Sequence, residues 1–191
     1  MPLTHDSQEE RAAFLEIKSL CANDQVKYNL SDVTLLRFLR GRKHDVEAAG
    51  KAIVRHCKWR TDESVATITE EEIKKELSIG KLQVHGTDKL GRPVFYIFAQ
   101  RHNKDDRDIV EMKKYIIYSL EKALCRTLPT EEKIIIVFDL TNFSLRCMDY
   151  EVLKMLIDIL GNLVSDYTYI PCHVSGYSKH LKDLTIDTLF Q

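Results

Sequence analysis

The feature that most constrains this chain is a continuous apolar run, Ile134-Ile135-Ile136-Val137-Phe138. The run is mostly β-branched and has no polar side chain, as expected for a central strand that is covered on both faces. It follows an extended pattern at residues 94–99 and a long amphipathic helical pattern at residues 109–128. A strand, a helix and a strand in this order form one β-α-β crossover. The sequence therefore predicts two parallel neighbouring strands.

Two further helices are predicted where the sequence reads LLRFLRGRKHDVEAA, residues 35–49. Gly41 is predicted to end the first helix, and Asp45 is predicted to cap the second. The apolar positions of both helices fall on one side and should share a buried seam. This seam consists of Leu35, Leu36, Leu39, Val46, Ala49, Ile53 and Cys57.

The remaining elements are predicted from shorter patterns. Amphipathic helices are expected at residues 7–20 and 150–160, and a short helix is expected from about residue 70 to Gly80. Gly91 is placed in a tight turn between two strands, where its freedom to adopt positive φ is needed. Residues 161–191 show no sustained periodicity, and the one element predicted there is a short helix around residues 180–189.

Charge is unevenly distributed, although the net charge is only -1. Residues 37–60 contain eight basic and two acidic side chains. Such a segment is typical of a surface that meets anionic lipid head groups or nucleic acid, or of a solvated helix face partly paired with acidic residues, here residues 70–72; the charge pattern alone favours the solvated face. The candidates for membrane contact are Arg40, Arg42 and Lys43.

Several functional classes lack their sequence signatures. The five cysteines are isolated and odd in number, which favours reduced thiols in a cytoplasmic protein over a zinc site or a disulfide framework. No signal peptide, membrane-spanning run or phosphate-binding loop is visible, and the hydrolase motifs are missing. Asp139 is the best catalytic candidate by position, but its carboxylate is better interpreted as the cap of its own loop. The protein is therefore predicted not to be an enzyme and to need no cofactor.

The strands separate their apolar side chains onto two faces. Phe95 and Ile97 lie on one face of their strand, and Ile134, Ile136 and Phe138 share one face of the next. One face of the sheet should pack on the crossover helix. The other face either packs against the N-terminal helices or borders a cavity for an apolar ligand, and packing considerations alone favour the first alternative.

Five ordered motifs carry a resemblance to a known family. LLRFLRGRKHDVEAA, HGTDKLGRPVFYI, MKKYIIYSLEKAL, IIIVFDLTNFS and MDYEVLKMLI resemble the CRAL-TRIO (Sec14-like) lipid-binding proteins in content, order and spacing. The resemblance implies a cavity that encloses one hydrophobic lipid, such as a phospholipid or an isoprenoid of the tocopherol type. It makes the cavity the favoured alternative, with Phe95, Ile97, Ile134, Ile136 and Phe138 as the lipid-binding residues. It also implies transient contact with an anionic membrane surface and no nucleic-acid partner.

The sequence departs from this family at two places. The strand matching residues 134–138 has Ile134 and Ile136 where phospholipid exchangers carry small hydroxyl residues, so a mainly apolar ligand is easier to accommodate. After residue 160 the family's YPERL-like motif, its NAP-containing strand, its gate helix and its inositol-phosphate lysine have no counterpart here. This second departure suggests an ending of the kind that a truncated isoform would have.

The fold class predicted from these observations is α/β. An N-terminal helical bundle precedes a β-α-β, Sec14-like sheet domain that is incomplete at the C-terminus. The predicted domains are residues 1–78, 79–160 and a non-family tail at 161–191. Such an ending should leave the strand at residues 134–138 or its neighbour with an unpaired edge, and should favour self-association through an exposed apolar face.

Two alternatives to lipid binding or transfer remain open. The first is an interaction module that docks on a membrane or protein partner without transferring lipid. The second, weaker alternative is an enzyme that uses Asp139. A cytoplasmic protein that associates peripherally with membranes is the expected location under the lipid-binding interpretation.

Overall fold

A computed structural model of the chain describes residues 7–127, 133–163 and 169–175. The chain divides into two compact units, Met1–Ser64 with Leu160–Thr168, and Val65–Ile159 with Tyr169–Gln191. The domain bounds predicted from the sequence stay a prediction. Within the described ranges, no helix has both the length and the apolar character needed to cross a membrane.

The first unit is helical. Its helices are α1 (Gln8–Leu20), α2 (Ala22–Tyr28), α3 (Asp32–Gly41) and α4 (Val46–Asp62). Helix α2 was not predicted. The helix predicted at residues 7–20 begins one residue later, at Gln8, and α4 begins directly after its predicted cap, Asp45. Ser7 accepts a hydrogen bond from the Glu10 N–H at 3.0 Å, and Asp45 accepts one from the Ala48 N–H at 2.9 Å. Each cap satisfies a backbone donor that the helix itself leaves unpaired.

The turn between α3 and α4 differs from the prediction in its mechanism. Helix α3 does end at Gly41, but the residues with left-handed backbone are Lys43 (φ 52°) and His44 (φ 65°). Gly41 is instead buried at the end of the helix.

The predicted seam between α3 and α4 is confirmed. Leu35, Leu39 and Ile53 are completely buried, and Val46 packs at the edge of the same core. Phe14 and Ile17 of α1 complete this core. Burying each such side chain contributes about 1.5–3 kcal/mol before the entropy cost, so the amphipathic pattern is sufficient to hold these helices together.

The second unit is built on a four-stranded sheet. Its elements in chain order are α5 (Lys74–Ile79), β1 (Leu82–Thr87), β2 (Pro93–Phe98), α6 (Ile109–Leu124), β3 (Ile134–Asp139), α7 (Tyr150–Leu163) and β4 (Tyr169–Ser175). The spatial order of the strands is β1-β2-β3-β4. Strands β1 and β2 are antiparallel, whereas β2, β3 and β4 are parallel. The mixed α/β class and the parallel crossover are thus confirmed.

Two details of the second unit correct the sequence-based expectations. The predicted unpaired edge is not at residues 134–138, because β3 has a partner strand on each side. The alternative in that prediction, an edge at a neighbouring strand, stays open, since β4 is the last strand of the described sheet. The second partner of β3 is β4, a strand that the irregular pattern after residue 160 did not predict. Helix α6 ends at Leu124, four residues before the predicted end. The short helix predicted around residues 180–189 lies outside the described residues.

Side chains hydrogen-bond to backbone groups of β1 at the edge of the sheet. The buried Tyr115 hydroxyl of α6 accepts a hydrogen bond from the Leu82 N–H at 3.1 Å and donates one to the Leu82 carbonyl at 3.0 Å. Arg126 donates to the Val84 carbonyl at 2.8 Å. Because unpaired edge groups invite pairing with another chain, these contacts protect the sheet on this side.

Candidate functional site

A cavity of about 300 Å³ lies in the second unit, where β2 and β3 reach their carboxyl ends. This is the place where open α/β sheets commonly bind ligands, and the volume is at the lower end of the range of about 300–1,000 Å³ for small-molecule sites. Most of its wall is apolar. The lining residues are Lys81, Leu82, Ile97, Phe98, Ala99, His102, Met112, Ile116, Phe138, Leu140, Phe143, Cys147, Met148, Asp149, Tyr150, Val152, Leu153 and Leu156.

The five predicted lipid-binding residues fall into two groups. Ile97 and Phe138 are direct partners in the parallel β2–β3 register, and both line the cavity. Phe95, Ile134 and Ile136 are buried one or more pleats earlier along the same strands, outside the described lining. Lipid contact by any of the five stays a prediction.

The cavity lies on the sheet face that the crossover helix covers. Met112 and Ile116 of α6 form part of its wall, and Val152 and Leu156 of α7 form another part. The sequence predicted the cavity on the face of Ile97 and Phe138 but the crossover helix on the other face, where Val94, Ile135 and Val137 form their own buried cluster. The helices cover β2 and β3 incompletely at their carboxyl ends, and the space they leave is the cavity.

One part of the wall is polar and charged. Lys81, His102 and Asp149 are the lining side chains that can carry charge near neutral pH. Lys81 Nζ lies 2.6 Å from Glu76 Oε2 and 3.3 Å from His102 Nδ1. His102 Nε2 lies 3.0 Å from Asp149 Oδ2, an arrangement in which Nε2 carries the proton and Nδ1 accepts from Lys81.

Three local features bring these groups together. Helix α5 ends at Gly80, whose φ of +68° turns the chain so that Lys81 returns to Glu76 of the last helical turn. His102 follows the short 3-10 turn after β2. Asp149 is the cap of α7 and accepts hydrogen bonds from the Glu151 and Val152 N–H groups.

Arg107 extends this network to the surface. Its Nε lies 2.5 Å from Asp149 Oδ2, and a terminal nitrogen lies 2.5 Å from Glu151 Oε2. Burial raises the pKa of Asp149, but the hydrogen bonds from His102 and Val152 and the charge of Arg107 outweigh it, so the pKa is lowered from its ordinary value of 3.8. Asp149 is therefore an anion at neutral pH.

We expect Asp149→Asn to reduce the free energy of unfolding by about 1 to 3 kcal/mol at pH 7, because asparagine can still cap α7 but cannot pair with Arg107. The folded-state pKa of Asp149 lies below the unfolded one. Its stabilisation is therefore complete above the unfolded value and is lost as the pH falls through the folded value. The free energies of unfolding of wild type and Asp149→Asn, measured with urea from neutral to acidic pH, should therefore become equal in acid.

Asp45→Asn is the matched control, because Asp45 caps α4 at an exposed position. This change should shift the urea midpoint only slightly at any pH. A gap between wild type and Asp149→Asn that stayed constant down to the lowest pH would contradict the role given to the charge of Asp149.

Asp139 behaves as the capping interpretation predicted. Its carboxylate accepts a hydrogen bond from the Thr141 N–H at 2.9 Å. It is outside the described lining of the cavity. In the described part of the chain, no group of three or more His, Cys, Asp and Glu side chains could hold a metal ion.

The three candidates for membrane contact differ in their surroundings. Arg40 makes a bidentate pair with the buried carboxylate of Glu10, at 3.0 Å and 2.9 Å. His44 Nε2 lies 3.1 Å from the same carboxylate. Lys43 is exposed and Arg42 is half-buried. Membrane contact by any of these residues stays a prediction, but Arg40 has a structural role of its own.

Several large apolar side chains near the cavity are exposed. Tyr150 is 74% exposed and Leu153 is 45% exposed, and both also line the cavity, which therefore opens to solvent beside the start of α7. Leu145 and Ile157 are exposed as well. Self-association through such a face stays a prediction.

Sequence reasoning missed the charged wall of the cavity. None of Lys81, His102 and Asp149 was predicted from the sequence as a binding residue. The three positions are 21 and 47 residues apart in sequence, so no spacing rule connects them. One usable signal was the position of Lys81 between Gly80, which follows α5, and the first residue of β1. A long side chain at such a position can reach back to the last turn of the helix.

The second unit combines a mixed four-stranded sheet with an apolar cavity at the carboxyl ends of β2 and β3. Residues 77–168 match the family model for the CRAL/TRIO domain. A CRAL-TRIO domain-containing protein of Schizosaccharomyces pombe is 35% identical over 147 residues, covering 72% of this chain and 33% of that protein. Phosphatidylinositol transfer protein CSR1 of Eremothecium gossypii is 31% identical over 138 residues, covering 66% of this chain and 32% of that protein.

A further relative and one solved structure match almost the whole chain. A CRAL-TRIO domain-containing protein of Saccharomyces cerevisiae is 27% identical over 190 residues, covering 94% of this chain and 57% of that protein. The crystal structure of Sfh5 has a TM-score of 0.73 at 14% identity, covering 99% of this chain and 78% of that one, and so shows a shared fold. Residues 77–168 of the chain belong to the CRAL/TRIO domain family. The chain spans about a third to just over half of the length of these relatives.

Proposed function

We propose that this chain binds one hydrophobic lipid in the cavity at the carboxyl ends of β2 and β3, and that it acts in lipid transfer rather than in catalysis. The observation that carries the proposal is the apolar cavity itself, with Ile97 and Phe138 on its floor and helices α6 and α7 on its sides. An apolar chain gains about 25 cal/mol per Å² that leaves water, so such a space favours a lipid tail over a polar metabolite.

The family relationship supports the same function. One relative is named a phosphatidylinositol transfer protein, and another, in Eremothecium gossypii, is named SEC14 cytosolic factor. The geometry favours a ligand that is mainly apolar, of the isoprenoid or tocopherol-like kind, over a phospholipid. The cavity is small, and most of the side chains that line it are apolar.

We expect Ile97→Trp to reduce lipid retention at least about tenfold without unfolding the protein, because the larger ring occupies the cavity and displaces a ligand. The protein should be incubated with a mixed lipid extract, and the bound lipid should be measured by native mass spectrometry. Leu90→Trp is the control, because Leu90 is 58% exposed and lies in the turn between β1 and β2.

Two results would contradict the proposal. The first is wild-type protein that retains no lipid from the extract. The second is equal retention by wild type and Ile97→Trp, which would place the lipid elsewhere. Protein that carries no lipid but sediments with vesicles or captures a protein partner would favour the alternative of a docking module.

Transient contact with an anionic membrane is the second part of the proposal. It rests on the basic segment at residues 37–60, in which Lys43 is exposed and Arg42 half-exposed. Each basic side chain near such a surface contributes about 1 kcal/mol, and salt screens the attraction. Co-sedimentation with vesicles rich in phosphatidylserine should therefore fall as the salt concentration rises, whereas salt-independent sedimentation would argue against this contact.

A further inference from the structure

Two apolar side chains are exposed side by side on the first unit. Leu20, at the end of α1, is 62% exposed, and Val54 of α4 is 50% exposed. A Cβ atom built on Gly50 would lie 3.0 Å from Leu20 Cδ2, so the Leu20 side chain lies on the α4 backbone at that glycine. Val54 follows Gly50 by one turn on the same side of α4. The two side chains therefore form one small apolar patch at the surface.

Cations lie beside this patch. Lys51, Arg55 and Lys58 are exposed on the same side of α4, and residues 48–61 contain no acidic side chain. Within the described ranges, Arg55 and Lys58 form no ion pair. Lys51 pairs with Glu47 at 2.5 Å, but both side chains of this pair are exposed, so the pair holds them only weakly. The surface thus combines positive charge with exposed apolar groups.

This combination restricts the kind of partner that fits the surface. A nucleic acid attracts cations through its phosphates, but its backbone offers no apolar layer that would cover exposed leucine and valine. An anionic lipid bilayer offers both components. Its head groups attract cations, and the boundary between head groups and acyl chains takes up apolar side chains.

We infer that this surface of the first unit docks on an anionic lipid bilayer. We call it the α4 face, and it consists of Leu20, Lys51, Val54, Arg55 and Lys58. The cations meet the lipid head groups, and the two apolar side chains enter the head-group boundary. The buried seam of α4 stays in the core during docking. This inference rests on the membrane contact in the proposed function and adds to it the surface that makes the contact.

The apolar contribution is tested by Leu20→Gln combined with Val54→Gln. Glutamine is a good helix former, so the change preserves both helices. Leu15→Gln with Val110→Gln is the matched control, because it replaces the same residue types at similarly exposed helical positions outside the α4 face. The vesicles contain equal parts of phosphatidylcholine and phosphatidylserine. We expect the α4-face variant to co-sediment with them about tenfold more weakly than wild type, and the control to bind unchanged.

The charge contribution is tested by Arg55→Gln combined with Lys58→Gln. Lys89→Gln with Lys104→Gln is the matched control, because it removes two exposed cations of the second unit. We expect the α4-face variant to lose about tenfold or more in vesicle binding at low salt. The difference from wild type should disappear at high salt, which screens the attraction. Circular dichroism should show that all four double variants are folded, because the replaced side chains are exposed.

A second measurement does not depend on loss of binding. Val54→Trp places a fluorophore in the α4 face, and Leu15→Trp places one on a different side of α1. Phospholipids with brominated acyl chains quench tryptophan that reaches the acyl-chain boundary. We expect Val54→Trp to be quenched more than wild type, which contains Trp59, whereas Leu15→Trp should add no quenched emission.

The outcomes separate the α4 face from the proposed function. If Leu20→Gln with Val54→Gln bound vesicles as tightly as its control, the surface would be purely electrostatic, of the kind that nucleic acid also meets, and the inference would be overturned. Equal vesicle binding by Arg55→Gln with Lys58→Gln and its control would place the membrane contact elsewhere. Wild type that fails to sediment with these vesicles would overturn the membrane contact and the α4 face together. Lipid retention in the cavity, measured by native mass spectrometry, should be unchanged in all of these variants and tests lipid binding separately.

Discussion

Replacing Ile136 by aspartate should prevent the protein from accumulating in soluble, folded form. Ile136 is 1% exposed and lies in the middle of β3, between β2 and β4. The change removes a buried apolar side chain, at about 2 to 5 kcal/mol, and places an unpaired carboxyl group in its position at further cost. Together these costs match the whole stability of a typical domain, about 5–15 kcal/mol.

The measurement is the soluble fraction after expression, followed by thermal unfolding of any soluble protein by circular dichroism. Ile136→Val is the matched control and should cost about 1 kcal/mol, because it removes one methylene group from the same position. Val110→Asp controls for the added charge, since Val110 is 62% exposed in the first turn of α6. Soluble Ile136→Asp protein that unfolds cooperatively would show that β3 is not a central strand.

Replacing Arg40 by glutamine should destabilise the protein by about 3 to 5 kcal/mol. The carboxylate of Glu10 is 1% exposed and receives two hydrogen bonds from the Arg40 guanidinium. Without that partner the buried carboxylate loses the guanidinium that neutralises its charge, although it keeps its contact with His44. Urea unfolding followed by circular dichroism gives the free energy directly.

Two further variants separate this ion pair from a general effect of charge. Lys43→Gln removes an exposed cation in the same turn and should change stability by about 0.5 kcal/mol or less. Glu10→Leu combined with Arg40→Leu removes both partners, and it should recover most of the loss because no buried charge is left. If Arg40→Gln were as stable as Lys43→Gln, the pair would have no structural role. The membrane proposal is consequently tested better at Arg42 and Lys43 than at Arg40.

The prediction of α/β class succeeded because strong local patterns agreed with one another. The helices α1, α3 and α4 follow from apolar residues at helical spacing together with Ser7, Ser31 and Asp45, whose side chains cap the backbone locally. The parallel pairing of β2 and β3 follows from a helix between two strands, since chain connectivity alone restricts that geometry. Both kinds of signal involve residues that are close in sequence.

The candidate site was less predictable because it depends on how completely the helices cover the sheet. The sequence placed Phe95, Ile97, Ile134, Ile136 and Phe138 on one face, but it could not show that only Ile97 and Phe138 border a cavity. That distinction depends on how far the first turns of α6 and α7 cover β2 and β3. Small differences in helix position decide which apolar residues border the cavity. The sequence does not distinguish an apolar side chain that packs in the core from one that lines a cavity.

The amino-acid sequence by itself determined the helix caps, the apolar seam of α3 and α4, the parallel crossover and the domain family of residues 77–168. Only the tertiary structure decided that β4 pairs with β3 and that the Arg40 guanidinium pairs with the buried Glu10 carboxylate. It also brought Glu76, Lys81, His102 and Asp149 into one network. The physical reason is that periodicity and capping act over a few residues. Strand pairing and buried charge pairing can instead join groups far apart in the chain, such as Arg40 and Glu10, which are 30 residues apart and meet only in the folded chain.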